Sequence, residues 1–168
     1  LSDDRVAGDT LSASYTDADF ADKNVGAGKT VNVSGISISG TDSANYTLAS
    51  TTASTTANIT AKTLTVSATG VNKVYDATTD ATVTLSDDRV AGDTFTSNYT
   101  ASFLNKNVGT GKTVNVSGIS ISGGDSGNYT LASTTASTTA DITAKPLTVT
   151  GVGAGDKVYD GTIVATID

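Results

Sequence analysis

The stretch Thr113–Ser122 reads TVNVSGISIS, and the same ten letters occur at Thr30–Ser39. Valine and isoleucine alternate here with serine, threonine or asparagine, and apolar residues alternate with polar ones in the same way at Thr63–Thr69 and Asn128–Ser133. An alternation with a period of two is typical of strands that bury one face and leave the other in water. No stretch shows a convincing helical period of 3.6. The chain is therefore predicted to form antiparallel β-sheets.

The predicted fold is a set of tandem, small antiparallel β-sandwiches. Six or seven strands in roughly 84 residues match immunoglobulin-like proportions. A compact β-grasp-like α+β unit is the alternative. The strand pattern is weakest at Asp17–Asn24, where a short helical turn is the competing prediction.

The sequence is a repeat. Leu1–Thr10 and Leu85–Thr94 are identical and 84 positions apart, and KVYD at 73–76 recurs at 157–160 with the same spacing. The sequence therefore closes on itself end to end as two periods. We expect a window on a tandem array of nearly identical units.

A natural boundary between repeats is predicted after the ITA of the recurring ITAK motif. Residues 1–61 are then the C-terminal part of one unit, and residues 62–144 are a complete unit. Residues 145–168 are the first strands of the next unit, with Pro146 as a stiff link at the junction. On this division, 145–168 of one chain are expected to complete 1–61 of another by strand complementation.

Composition excludes several classes of function. A net charge of −7 and a pI of about 4.3 disfavour nucleic acid and anionic membrane surfaces as partners. The sequence has no apolar run of the length that spans a bilayer, so membrane insertion is not expected. Histidine and cysteine are both absent, which removes the commonest general base and the thiolate ligands. We expect no enzymatic activity and no cofactor.

The segment NVGTGKT at 107–113 is spelled like the end of a phosphate-binding loop. That loop requires glycine five positions before the glycine of its Gly-Lys-Thr, and Lys106 stands there. A predicted strand follows in place of a helix. We therefore predict a glycine turn that leads into the TVNVSGISIS strand.

Closely spaced carboxylates in SDDRVAGD make Asp87, Asp88 and Asp93 candidate calcium ligands. The complete EF-hand pattern is missing. The alternative is a solvated acidic turn with Arg89 as its counter-charge.

The tyrosines are predicted to be structural, because one tyrosine supplies a large share of so thin a core and its hydroxyl can bind backbone at the edge. Asp76 and Asp160 are expected to cap the turns that follow them. Ala77 occupies the position of Gly161, which predicts that this turn does not need a positive φ. The predicted structural motif comprises Tyr46, Tyr75, Asp76, Tyr129, Tyr159, Asp160 and Gly161.

Four motifs occur in order: KNVGTGKTV at 106–114, SGISISG at 117–123, DSGNYTL at 125–131 and KVYDG at 157–161. With them the chain resembles the YDG-type repeats of large bacterial surface proteins, found in filamentous-haemagglutinin-like adhesins. The departure is YDA at 75–77. The resemblance implies a secreted, multi-repeat stalk or adhesive fibre on Gram-negative cells, and it brings no catalytic residues.

The expected function is accordingly structural: a stalk or filament repeat of an extracellular adhesin, concerned with cell adhesion and biofilm. Its partners would be neighbouring repeats or identical subunits. The alternative is a ligand-binding module for a glycan, ice or a partner protein. The threonine-rich STTASTTA at 50–57 and 133–140 would suit that alternative.

Overall fold

A computed structural model describes residues 1–167 of the chain, and its regular secondary structure consists of strands with two short 3-10 helices. In chain order the elements are β1 Ser12–Ser14, β2 Asp17–Phe20, β3 Gly26–Ser34, β4 Ser37–Ser39, the 3-10 helix η1 Ser43–Asn45, β5 Ala53–Ile59, β6 Lys62–Leu64, β7 Val66–Val71, β8 Lys73–Val74, β9 Thr82–Asp87, β10 Thr96–Phe103, β11 Gly109–Ser122, the 3-10 helix η2 Ser126–Asn128, β12 Tyr129–Leu131 and β13 Ala136–Thr143. The predicted all-β class is confirmed.

The α+β alternative is wrong, because η1 and η2 are the only helical segments within residues 1–167. The helical turn considered at Asp17–Asn24 is wrong as well. Asp17–Phe20 is strand β2 and pairs antiparallel with β3. In the part of the chain that the structure covers, no helix is long and apolar enough to cross a membrane.

The described residues form two compact units. Unit 1 consists of Leu1–Ala68, Leu85–Thr100 and Val116–Ala136. Unit 2 consists of Thr69–Thr84, Ala101–Asn115 and the described residues from Ser137 on. The boundaries that the sequence repeat predicts, after residues 61 and 144, stay a prediction.

Unit 1 contains a three-stranded sheet in the order β2-β3-β5, in which both pairs are antiparallel. It also contains the antiparallel pair β1-β4 and the parallel pair β12-β6. Its buried apolar side chains are Leu11, Leu64, Val116, Ile119 and Tyr129.

A four-stranded sheet has the order β10-β11-β13-β8, and β8 runs parallel to β13. The buried side chains of unit 2 are Val83, Phe103, Val114, Ala140 and Ile142. By sequence repeat, β2, β3 and β5 correspond to β10, β11 and β13. The first sheet therefore lacks the counterpart of β8.

The TVNVSGISIS stretches form strands in both copies. The stretch in the second copy lies within the continuous strand β11. The stretch in the first copy is divided between β3 and β4. The backbone changes direction at equivalent glycines, since Gly35 has φ of 65° and Gly118 has φ of 64°.

The segment NVGTGKT forms a bulged strand start and not a phosphate loop. Gly28 and Gly111 are both left-handed, with φ of 60° and 57°. The Gly111 amide donates to the Asp141 side chain at 2.7 Å, and the Gly28 amide donates to Asn58 at 2.8 Å. These amides are used within the fold, and β11 runs on to Ser122 where a phosphate loop would open a helix.

Candidate interaction site

The hydroxyl of Tyr129 fastens two parts of unit 1 together. It donates a hydrogen bond to Asp93 Oδ2 at 2.8 Å and accepts one from the Val90 amide at 2.9 Å. The tyrosine is 7 % exposed, and its burial raises the pKa of the phenol. We call Tyr129, Asp93 and Val90 the second tyrosine clasp.

The first copy has the same clasp. Tyr46 donates to Asp9 Oδ2 at 2.6 Å and accepts from the Val6 amide at 2.9 Å. The hydrogen bond to Asp9 raises the pKa of Tyr46. Two predicted structural tyrosines are thus placed at equivalent positions with equivalent partners.

An arginine closes one side of the second clasp. Arg89 donates from Nε and Nη2 to the two oxygens of Asp87, at 2.8 and 2.6 Å. Its guanidinium lies 3.8 Å from the centre of the Phe95 ring, and Phe95 meets Tyr129 edge to face at 5.3 Å. The arginine is held between a carboxylate and an aromatic face, which restricts its rotamers.

The candidate calcium ligands Asp87, Asp88 and Asp93 each have a different protein partner. Asp87 binds Arg89 and Asp93 binds Tyr129, whereas Asp88 accepts the Thr65 amide at 2.8 Å. Within residues 1–167 no group of three or more acidic side chains is arranged to hold a metal. Calcium binding by these residues stays a prediction.

Strand β6 lies beside β12, the strand that begins with Tyr129 of the second clasp. It pairs parallel with β12 in the register Tyr129↔Lys62, Thr130↔Thr63 and Leu131↔Leu64. The Ala132 amide donates to the Leu64 carbonyl at 2.9 Å. Leu64 itself has no exposed surface, so its side chain is fully buried where β6 pairs with β12.

A salt link and a hydrogen bond anchor the start of β6. Lys62 Nζ lies 3.1 Å from Asp88 Oδ2, and the same carboxylate accepts the Thr65 amide. Both contacts lower the pKa of Asp88. The hydrogen bond from the Thr65 amide has the largest effect, and the hydrogen bond from Lys62 has the next largest. Asp88 therefore fixes the register of β6 from both sides of Leu64.

At the equivalent place in the first copy there is an open groove of about 280 Å³. Its apolar lining includes Leu11, Ile38, Tyr46 and Leu48, and Asp4 stands at its edge. Asp4 is the repeat equivalent of Asp88, and Tyr46–Leu48 are the equivalent of β12. The groove thus lies beside the equivalent of β12, the strand with which β6 pairs in the second copy.

Lys23 of the first copy binds two carboxylates of the second. Its Nζ lies 2.7 Å from Asp93 Oδ1 and 3.0 Å from Asp125 Oδ1. The lysine is the first cause of a lowered Asp93 pKa. The Asp125 pKa is also lowered, first by the Thr94 amide and then by Lys23. The two carboxylates in turn raise the pKa of the Lys23 ammonium.

An asparagine extends the same junction. Asn128 Oδ1 accepts the Val25 amide at 2.9 Å, and Asn128 Nδ2 donates to Asn24 Oδ1 at 3.2 Å. Lys23, Asn24 and Val25 of one copy thus face Asp93, Asp125 and Asn128 of the next. We call these six residues the copy junction.

The repeat places a second set of residues equivalent to both sides of the copy junction in the chain. Lys106, Asn107 and Val108 correspond to the lysine side, and Asp9, Asp42 and Asn45 correspond to the acidic side. None of the ion pairs found within residues 1–167 involves Lys106, Asp9 or Asp42. The same is true of Lys145 and Asp4, the equivalents of Lys62 and Asp88.

The turns after KVYD are closed by their aspartates. Asp76 Oδ1 accepts from the Thr78 amide and from Lys73, both at 2.9 Å, and the pKa of Asp76 falls to about 2, first through Lys73. Asp160 accepts the Thr162 amide in the same way at 2.9 Å.

The prediction that this turn avoids a positive φ was wrong. Ala77 has φ of 68° and Gly161 has φ of 73°, so both copies use the left-handed conformation. The hydrogen bonds that Asp76 accepts from Thr78 and Lys73 fix the backbone of this turn. They hold Ala77 in the left-handed conformation, which alanine otherwise disfavours.

The two tyrosines of KVYD lie in different surroundings. Tyr75 is half-buried and its amide donates to the Thr143 carbonyl at 2.9 Å. Tyr159 is 93 % exposed. Tyr75 is adjacent to β8, which pairs with β13, and residues 157–160 do not belong to a named strand.

A family model described as the YDG domain matches residues 1–54 and again residues 60–137. Together these two matches cover well over half of the chain. The chain belongs to the YDG domain family. Neither a curated protein nor a solved structure matches the chain.

The copy junction joins groups that come from two different YDG copies. Each element of the copy junction is a fixed carboxylate, amide or ammonium group aimed at a partner from another copy. The sequence pattern did not identify Lys23, Asn128 or Leu64 as contact residues. Their signal is faint: each recurs in both copies, as do most of their neighbours.

Proposed function

We propose that this chain is a stalk or fibre segment of an extracellular bacterial adhesin or surface filament. The observation that carries the proposal is the ion-paired bridge from Lys23 to Asp93 and Asp125, which links one YDG copy to the next. Residues that make such a bridge recur in both copies. A repeating protein with repeating junction residues is suited to extension.

Several properties agree with this function. The net charge of −7 on a serine- and threonine-rich chain favours solubility outside the cell. Nearly identical copies favour length over a unique site in one copy. The proposed localisation is the bacterial cell surface, and the proposed partners are neighbouring repeats or identical subunits.

The finer architecture belongs to the same proposal. Each repeat would be a small sandwich of immunoglobulin-like proportions, completed by strands that precede its junction residues in sequence. The relation of β6 to β12 and of β8 to β13 supports this, because both pairs join the start of residues 62–144 to their end.

The length of a covalent array tests the proposal. Chains with one, two and four tandem copies of the 168-residue sequence would be compared by small-angle X-ray scattering. A stalk predicts that the maximum dimension grows by a constant increment per copy. Growth only as about the cube root of mass, as in a compact particle, would contradict it.

Location and ligand binding are tested separately. Antibodies against the repeat should label intact producing cells, and external protease should remove the label. A glycan array probed with the same chains distinguishes the ligand-binding alternative, since a stalk segment gives no selective binding there.

A further inference from the structure

We propose that residues Lys145–Val149 of one copy of this chain dock as a parallel strand beside Tyr46–Leu48 of a second copy. The inference rests on the proposed function, in which like repeats are neighbours, and it names the segment and the groove that meet. The occupant is thus a second copy of this chain.

The first argument compares equivalent places in the two copies, of which one holds a paired strand and the other is an open groove. In unit 1, β6 lies on β12 with Leu64 fully buried. The equivalent groove beside Tyr46–Leu48 is open, with about 280 Å³ of space above Leu11 and Leu48. The same sequence repeat thus occurs once with its paired strand and once without it.

The second argument is an exposed segment whose sequence repeats that of β6. Lys145, Leu147, Thr148 and Val149 repeat the side chains of Lys62, Leu64, Thr65 and Val66. Leu147 is 89 % exposed and Val149 is 76 % exposed, and no strand is assigned there. A leucine in that position leaves a large apolar side chain in water, and docking would remove it from water.

The register follows from β6. Transferring it by the repeat pairs Tyr46 with Lys145 and Leu48 with Leu147. The Ala49 amide would donate to the Leu147 carbonyl, as Ala132 does to Leu64 at 2.9 Å. Asp4 would accept the Thr148 amide and pair with Lys145, as Asp88 does with Thr65 and Lys62.

Pro146 fits this register. It replaces Thr63, the residue between Lys62 and Leu64. Alternate residues of a parallel strand point their amide and carbonyl to opposite neighbours, and the Leu64 carbonyl points to β12. The amide of the middle residue therefore points away from β12, so its loss in Pro146 removes no ladder hydrogen bond.

The copy junction supplies a second, independent contact with the same polarity. The donor chain that offers residues 145–149 also offers Lys106, and the acceptor groove lies beside Asp9 and Asp42. These are the equivalents of Lys23, Asp93 and Asp125. Donor and acceptor surfaces differ, so the contact is head to tail, which is the kind that builds a filament when the rotation between copies does not close a ring.

The edge of the three-stranded sheet in the first copy supports the same docking. The sheet β2-β3-β5 ends at β5, whereas its counterpart continues from β13 to β8. Lys157 and Val158 are the equivalents of β8, and Val158 is 89 % exposed. The same donor chain thus holds the missing fourth strand.

The purified 168-residue chain tests the inference by sedimentation velocity and electron microscopy over a range of concentrations. We expect concentration-dependent filaments. Leu147→Asp should raise the concentration needed for assembly at least tenfold, because it removes a buried leucine from the interface. At a concentration where both chains are monomeric, its melting temperature should match that of the parent, since Leu147 is exposed in the single chain.

A charge exchange provides the specific control. Lys106→Glu or Asp42→Lys alone should weaken assembly, and a mixture of the two variants should restore contacts between unlike chains. A synthetic peptide of residues 145–168 should block growth, and the same peptide with Leu147→Asp should not.

A wild-type chain that stays monomeric at millimolar concentration overturns the inference, and so does assembly that Leu147→Asp leaves unchanged. In either case the stalk proposal still stands or falls on the array-length measurement. Filaments combined with a compact covalent array would instead contradict the stalk and leave strand docking in place.

Discussion

Leu64 and Leu147 occupy equivalent positions in the two copies, yet Leu64 has no exposed surface and Leu147 is 89 % exposed. The difference lies in their surroundings, because only Leu64 has a strand beside it. Substitution of each leucine by alanine tests whether burial, and not the residue type, determines the contribution of each leucine to stability.

Leu64→Ala should lower the free energy of unfolding by about 2–5 kcal/mol, because it opens a cavity at a fully buried site. Leu147→Ala should change it by less than about 0.5 kcal/mol at a concentration where the chain is monomeric. Urea unfolding monitored by circular dichroism measures both. Equal effects would show that burial beside β12 does not determine the contribution of Leu64.

Lys23→Gln should lower the melting temperature, because Asp93 and Asp125 lose the ammonium between them. Lys106→Gln is the matched control, since Lys106 forms no ion pair within residues 1–167. We expect the difference between the variants to shrink in high salt, which screens exposed charges. A deficit that salt leaves unchanged would point to a packing role for Lys23.

Stability should fall in acid. The folded-state pKa values of Asp88, Asp93 and Asp125 lie below those of free aspartate, so these groups bind protons more readily in the unfolded chain. Their stabilisation is complete above the unfolded pKa of about 4 and is lost as pH falls through the folded values. The melting temperature should therefore drop below about pH 4.

Replacing the carboxylates identifies the source of this acid sensitivity. Asp93→Asn and Asp125→Asn in one chain should flatten the pH profile of melting below about pH 4. A profile as steep as that of the parent would assign the effect to other carboxylates, such as Asp76, whose pKa is about 2.

Ala77→Gly should stabilise the chain by about 0.5–1 kcal/mol. Glycine relieves the left-handed strain, which costs about 1–2 kcal/mol, and loses part of that gain to unfolded-state entropy. Ala101→Gly is the control, because Ala101 lies within β10 at a negative φ and glycine should destabilise it. A destabilising Ala77→Gly would show that the turn does not strain alanine.

The sequence predicted the all-β class because the alternation at residues such as Val114 and Val116 depends only on neighbours in the chain. It also selected Tyr46 and Tyr129 as structural residues, and their hydroxyls bind Asp9 and Asp93. It failed at Ala77, since the lysine and aspartate that enforce the turn act through space. Likewise it gave Leu64 and Leu147 the same pattern, although their burial depends on a strand far away in sequence.

The acidic candidates show a further limit. Spacing alone grouped Asp87, Asp88 and Asp93, but backbone direction sends each carboxylate to a different cation, amide or hydroxyl. Local sequence does not reveal that direction. The junction lysine Lys23 was missed for the same reason, because its partners come from another copy.

The parallel pairing of β6 with β12 has a mechanical consequence. These strands come from the beginning and the end of residues 62–144 and point the same way. Tension that pulls the start of β6 against the end of β12 therefore slides one strand along the other and loads their hydrogen bonds simultaneously. The pair would resist this tension with all its hydrogen bonds at once and would not break them one by one, which is the resistance that the proposed stalk would require.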